Sequence, residues 1–230
     1  MFSPADLFDL GQTEHASIFD GCRYAWEALP KIQSYIGSHL RPELRNRCAG
    51  YAFIGELVFI GEGTLVEDGV MIKGPAIIGR NCEIRHNAYI REQVIIGDNC
   101  VVGNACELKN SFLFNHANVP HFNYVGDSML GYRAHLGAGV KISNVKLVKG
   151  NILVDCDGKQ LDTGLRKFGA LVGDASEIGC NAVLNPGSII GRGSVLYPNT
   201  NWRGVLPPNS IVKNKAAQQI ISRTLLDTEK

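Results

Sequence analysis

Residues 54–114 read IGELVF IGEGTL VEDGVM IKGPAI IGRNCE IRHNAY IREQVI IGDNCV VGNACE LKNSFL F. Steps of six place Ile54, Ile60, Val66, Ile72, Ile78, Ile84, Ile90, Ile96, Val102, Leu108 and Phe114 at the head of each hexad. Four places further on stand Val58, Thr64, Val70, Ala76, Cys82, Ala88, Val94, Cys100 and Cys106, all small or β-branched. A period of six is neither the 3.6 of a helix nor the 2 of an isolated strand. It marks a solenoid in which each hexad makes one short strand and a turn. Gly follows the head residue at 55, 61, 79, 97 and 103, as suits a tight corner where a Cβ would crowd the next coil. With three hexads per coil, the expected fold class is all-β, a left-handed parallel β-helix of triangular section.

Working outward, residues 1–20 are acidic and irregular, with Asp6, Asp9, Glu14 and Asp20. Between Tyr24 and Leu40, the apolar residues Trp26, Leu29, Ile32 and Ile36 fall at helical spacing, and Pro30 starts a second helix or kinks the first. Residues 1–50 are therefore expected to form an acidic segment and a helical cap across the first coil, with 41–50 as a link. Residues 51–214 are expected to form the β-helix. After Phe114 the hexads slip: Pro120 keeps the step, but Leu130, Leu136 and Ile142 follow two residues short of it. That defect directs attention to Asn118–Asp127, because repeats break their own rule where a site is built. The hexads vanish in an inserted loop, residues 144–170, where Asp157-Gly158 suggests a hairpin turn, and they resume at Val172, Ile178, Leu184, Ile190 and Leu196. The tail, residues 215–230, carries Ile220, Ile221, Leu225 and Leu226 in the pattern of an amphipathic C-terminal helix.

A net charge of +1 over 230 residues argues against nucleic acid or an anionic membrane as a general partner. The N-terminal residues lack the basic and apolar runs of a signal peptide, and no stretch has membrane-spanning length, so a cytoplasmic location is expected. The seven cysteines include no CxxC pair, and Cys82, Cys100 and Cys106 fall in the small interior slot as core thiols.

Lys73, Arg91 and Lys109 occupy the corner slot at intervals of eighteen residues. Three hexads per coil would stack them about 4.8 Å apart. Two readings follow: a phosphate-binding ladder, or a solvated edge balanced by Glu92 and Glu107. His121 occupies the same corner slot after Pro120, beside the phase slip, and an imidazole can act as a general base near neutral pH. Glu107 is a candidate to orient it.

The runs Val102-Gly103-Asn104-Ala105-Cys106-Glu107-Leu108-Lys109-Asn110, His121-Phe122-Asn123-Tyr124-Val125-Gly126-Asp127 and Leu136-Gly137-Ala138-Gly139 carry a family resemblance. They resemble the C-terminal acetyltransferase domain of the bifunctional enzymes that make UDP-N-acetylglucosamine. The run from Leu161 to Ala170, LDTGLRKFGA, is similar to the archaeal-type sugar-1-phosphate nucleotidylyltransferase/acetyltransferase branch. The resemblance implies a homotrimer that uses acetyl-CoA, without a metal, to acetylate the amine of glucosamine 1-phosphate or galactosamine 1-phosphate. It implies His121 as the general base, with Glu107 holding its ring, and the Ala138 N–H as oxyanion donor. Arg91 and Lys109 would contact the sugar phosphate, and Tyr124, Asn144 and Lys167 the acceptor sugar. Ala138 and Cys180 would meet the cofactor.

The sequence also departs from the family. Residues 1–50 supply no nucleotidylyltransferase half, so no nucleotidylyl transfer is expected. His135 stands where the resembling enzymes have Asn, and the loop after Asn144 reads Val-Lys-Leu-Val-Lys-Gly in place of Tyr-Asp-Gly. Both changes bear on which amino sugar is accepted. Two functions stay open: a stand-alone amino-sugar N-acetyltransferase, and a non-catalytic trimeric scaffold or regulatory subunit that keeps a sugar-phosphate site. A zinc site of the carbonic-anhydrase kind, needing three convergent histidines, is a weaker third reading.

Overall fold

The computed structural model describes residues 2–156 and 158–214. Its core is an all-β parallel β-helix: one nine-stranded sheet supplies a strand per coil, and a fifteen-stranded sheet supplies the other two faces. Three stacks of head residues fill the interior. One runs Ile60, Ile78, Ile96, Leu113, Leu130, Val172 and Ile190; the second Val66, Ile84, Val102, Val119, Leu136, Ile178 and Leu196; the third Ile72, Ile90, Leu108, Val125, Ile142 and Leu184. All are 0–1% exposed, and each fully buried aliphatic side chain contributes about 1.5–3 kcal/mol.

The turns report the coil length. Asn81, Asn87, Gln93, Asn99 and Ala105 take positive φ at intervals of six, and Asn110 then follows after only five. Six-residue steps lead to His116 and Phe122, and Asp127 again follows after five. Two successive coils are thus one residue short at the same corner. There the seven-residue strands Glu107–Leu113 and Tyr124–Leu130 run straight through the bend and join two faces into one sheet. On the next coil the same corner opens into the insertion, which contains the antiparallel hairpin Leu153–Cys156 and Lys159–Asp162.

The structure corrects three expectations, the first through these deletions. Leu113, not Phe114, takes the core slot, and Phe114 packs outward against Phe8 at 4.9 Å between ring centroids. Residues 41–50 are not a link: Glu43–Leu44 pairs with Val58–Ile60 and Arg47–Ala49 with Leu65–Glu67, which makes them the first coil. The N-terminal segment does not lie across that coil's open edge. It wraps a flank, because the outward row Ile77, Ile95, Phe112, Met129, Leu171 and Ile189 is itself apolar and needs cover. A 3₁₀ helix, Ala25–Lys31, and an α-helix, Ile32–His39, lay Trp26, Leu29, Ile32 and Ile36 onto this row. Asp174 fastens the wrap by accepting from the backbone N–H groups of Asp9 and Tyr132. The expected helix at 215–230 and the Asp157 half of the hairpin turn lie outside the described residues.

Candidate functional site

Where Ile90, Leu108 and Val125 point inward, the two-residue alternation of a strand turns their neighbours outward. The third face therefore has a floor of paired positions: Tyr89 and Arg91, Glu107 and Lys109, Tyr124 and Gly126. One edge carries Lys73, Arg91, Lys109 and Gly126 in register. The other edge is formed by Asn104, His121, Ala138 and Cys180. Asn104 pairs directly with His121, and the pairs Asn118–His135 and His135–Glu177 extend the row to the last two. His121 is thus not in the first corner slot. Val119 is the core residue, Pro120 matches Gly103 at the corner, and His121 comes next. A Cβ on Gly103 would collide with the Pro120 carbonyl oxygen.

The stacked cations are real, and each has a carboxylate partner. Arg91 Nη1 donates to Glu107 Oε1 at 2.9 Å, Lys73 Nζ lies 3.6 Å from Glu92, and Lys109 Nζ lies 3.2 Å from Asp127 Oδ2. The Glu107 hydrogen bond, and after it burial's opposing pull, leave the Arg91 guanidinium with a raised pKa. Glu107 therefore pairs with Arg91 and makes no hydrogen bond to His121 among the described residues. The His121 ring is exposed and stands free of side-chain hydrogen bonds there.

Gly126 breaks the cation row and leaves a notch. A Cβ there would stand 2.7 Å from Tyr124 Oη and 2.9 Å from Asn144 Nδ2, so both groups lean over the glycine. Burial, then the nearby Glu107 and Asp127 carboxylates, push the Tyr124 phenol up and keep it a hydrogen-bond donor at neutral pH. Asn144 donates to Asp127 Oδ2, and Asn110 donates to Asp127 Oδ1 at 2.8 Å. The exposed Lys167 adjoins this corner: Phe168 N–H donates to the Asn144 carbonyl and Gly169 N–H to that of Asp127. Across the floor, the Ala138 N–H meets no backbone acceptor among the described residues. His135 stands on the neighbouring face, in register with Asn118 and Glu177.

The fold thus gathers Arg91, Glu107, Lys109, Tyr124 and Asn144 at one corner and aligns His121, Ala138 and Cys180 along the facing edge. Two residues escaped the sequence reading. Asp127 is the buried carboxylate that organises Lys109, Asn110 and Asn144. Asn123 is an amide buried in the core. The signal for both was the shortened coil. Seventeen places after Cys106, not eighteen, lies Asn123, in an interior column otherwise filled by Val70, Ala88, Cys106, Val140, Ala182 and Thr200. No cluster of His, Cys, Asp and Glu fit to hold a metal occurs among the described residues, and no helix among them is long and apolar enough to cross a membrane. A cavity of about 630 Å³ lies under the hairpin beside Lys146 and Arg203, away from the notch.

The fold and the corner define a hexapeptide-repeat solenoid with a polar floor between two edges. Comparison with known proteins agrees with the motif resemblance in this region: a family described as the GMPPB C-terminal domain matches residues 72–157. Among curated relatives, the bifunctional sugar-1-phosphate nucleotidylyltransferase/acetyltransferase of Sulfurisphaera tokodaii is 34% identical over 91 residues, covering 40% of this chain and 23% of that protein. The bifunctional protein GlmU of Methanococcus maripaludis is 33% identical over 92 residues, 40% of this chain and 22% of its own length. The matched region therefore spans less than a quarter of these relatives. Solved structures similar to the chain include a point mutant of GDP-perosamine N-acetyl transferase from Caulobacter crescentus, in complex with CoA and GDP-perosamine. That likeness has TM-score 0.31 and 18% identity, and covers 73% of this chain and 52% of that one.

Proposed function

We propose that the chain is an acetyl-CoA-dependent N-acetyltransferase whose acceptor is an amino-sugar 1-phosphate such as glucosamine 1-phosphate or galactosamine 1-phosphate. The observation that carries this reading is the polarity of the floor. Cations and amide donors line one edge, and a free imidazole and an unpartnered backbone N–H line the other, a few residues apart at about 3.3 Å each. A hexose phosphate laid across it presents its phosphate to Arg91 and Lys109, its ring to Tyr124, Asn144 and Lys167, and its amine to His121. The CoA thioester is already an activated acyl donor, so the protein supplies position, a base and an oxyanion donor. His121 takes the proton as the amine nitrogen attacks the thioester carbonyl. The Ala138 N–H holds the oxyanion, and collapse forms the amide and expels the CoA thiolate. Cys180, next in the same row, would border the pantetheine arm. The nucleotidylyltransferase/acetyltransferase among the curated relatives supports this reading, which includes a homotrimer whose clefts hold the acetyl-CoA.

The scaffold reading has one observation in its favour: Arg91 and Lys109 are already paired with Glu107 and Asp127, so a phosphate must compete for them. Calorimetric titration with glucosamine 1-phosphate and galactosamine 1-phosphate tests the site. The acetyltransferase reading expects saturable binding of one of them, weakened at least tenfold in Arg91→Ala. Absence of binding in the folded protein would contradict it.

A further inference from the structure

We propose that Asn123 is a positioning residue that locks the edge bearing His121 to the turn bearing Ala138; this rests on the acetyltransferase reading above. The side chain is 2% exposed. Its Oδ1 accepts from the His121 backbone N–H at 3.0 Å, and its Nδ2 donates to the Gly137 carbonyl at 2.8 Å on the following coil. The orientation of the amide is fixed by those partners: an N–H must face the oxygen and a carbonyl must face the nitrogen. The thiol of Cys106, 3.5 Å away, completes the acceptor side. A buried amide is costly unless it is satisfied, and here the two bonds that satisfy it reach the residue itself on the base's side and the residue just before the oxyanion donor.

The interior column otherwise has no need of an amide. None of the other residues in this slot, Val70, Ala88, Cys106, Val140, Ala182 and Thr200, carries an amide; Cys106 and Thr200 reach the next coil only through a thiol and a hydroxyl. Asn123 sits on a coil shortened by one residue, whose strand pairing is interrupted at the turn by Phe122 in the left-handed region. Without the amide, the His121 N–H has no strand partner to hold it. With it, the base and the oxyanion donor are referenced to one buried group, and the spacing between them is set from inside the solenoid. A base displaced by about 1 Å can cost on the order of 100-fold in rate.

The test is steady-state kinetics of acceptor-dependent CoA release by the full chain and by Asn123→Val, a residue this column already accepts at 70 and 140, with Asn123→Thr as a second variant in case the first fails to fold. The expected result is a kcat lowered at least tenfold in protein still fully folded without denaturant, with KM for acetyl-CoA and acceptor within about twofold and only a modest fall in the urea midpoint, as two backbone groups lose their partner. Hydrogen exchange at the His121 amide should quicken in the same variants. Variants with the parent's kcat would overturn the positioning role. So would a fall in kcat that only tracks a loss of folded protein, which a purely structural amide would give. If the parent itself releases no CoA with any acceptor, the acetyltransferase reading fails first and the positioning role fails with it.

Discussion

At the residue scale, the notch over Gly126 is the most sharply defined feature of the site. Its backbone is unstrained, so Gly126→Ala tests the space alone: the new Cβ must displace Tyr124 Oη and Asn144 Nδ2. Acceptor affinity should fall at least tenfold with the melting temperature unchanged, and equal affinity would show that the notch is not used. Lys109 behaves differently. Its partner Asp127 is 4% exposed, and removal of the cation leaves that carboxylate buried with only amide donors. Lys109→Ala should cost about 3–5 kcal/mol in urea unfolding, and adding Asp127→Asn should recover much of it. The cation row was readable in the sequence because Lys73, Arg91 and Lys109 lie eighteen residues apart. Glu92 and Glu107 were readable beside it, but the third carboxylate was not, because Asp127 comes from a coil one residue short, and a count by eighteens sets it in line with Lys109 where Gly126 belongs. The same miscount hid Asn123 and placed His121 one slot too early.

At the scale of elements, the N-terminal wrap is the largest departure from expectation. The helical spacing of Trp26, Leu29, Ile32 and Ile36 was right, but a helix's apolar stripe does not say what it covers. The answer was in the solenoid: Phe59, Ile77 and Ile95 recur at eighteen-residue intervals just before a head residue, an apolar row on an outer face. His15 makes the wrap sensitive to acid. Its Nδ1 lies 3.2 Å from Tyr35 Oη and its ring meets Phe112 edge-on. Burial, helped by His39 and opposed by Asp98, lowers its pKa to about 4 from 6.5. The unfolded chain then binds more protons between those values, so the contribution is complete above pH 6.5 and is lost as the pH falls to 4, about 3 kcal/mol in all. Chemical unfolding at pH 7 and pH 4 should show that loss in the parent and a much smaller one in His15→Phe. Equal losses would remove His15 from the account.

At the scale of the whole molecule, hexad counting revealed the solenoid because each coil repeats the same burial problem. It failed on the first coil, where Leu44 and Cys48 stand four residues apart, and then at one corner on successive later coils: Lys109–Ser111, Gly126–Ser128 and the loop that follows Ser143. The later irregularities that obscured the pattern therefore mark the candidate site. Leu130→Ala, next to the second shortened bend and wholly buried, should cost about 2–5 kcal/mol by opening a cavity between coils. A calorimetric melt would show whether the solenoid still unfolds as one unit. The measurement that bears most directly on function is thiol release from acetyl-CoA in the presence of a panel of amino-sugar 1-phosphates, with the parent chain set beside His121→Ala. Acceptor-dependent release is expected from the parent, falling by about 10²–10⁴-fold in the variant. No release from the folded parent, or equal release from the two proteins, would contradict the acetyltransferase reading.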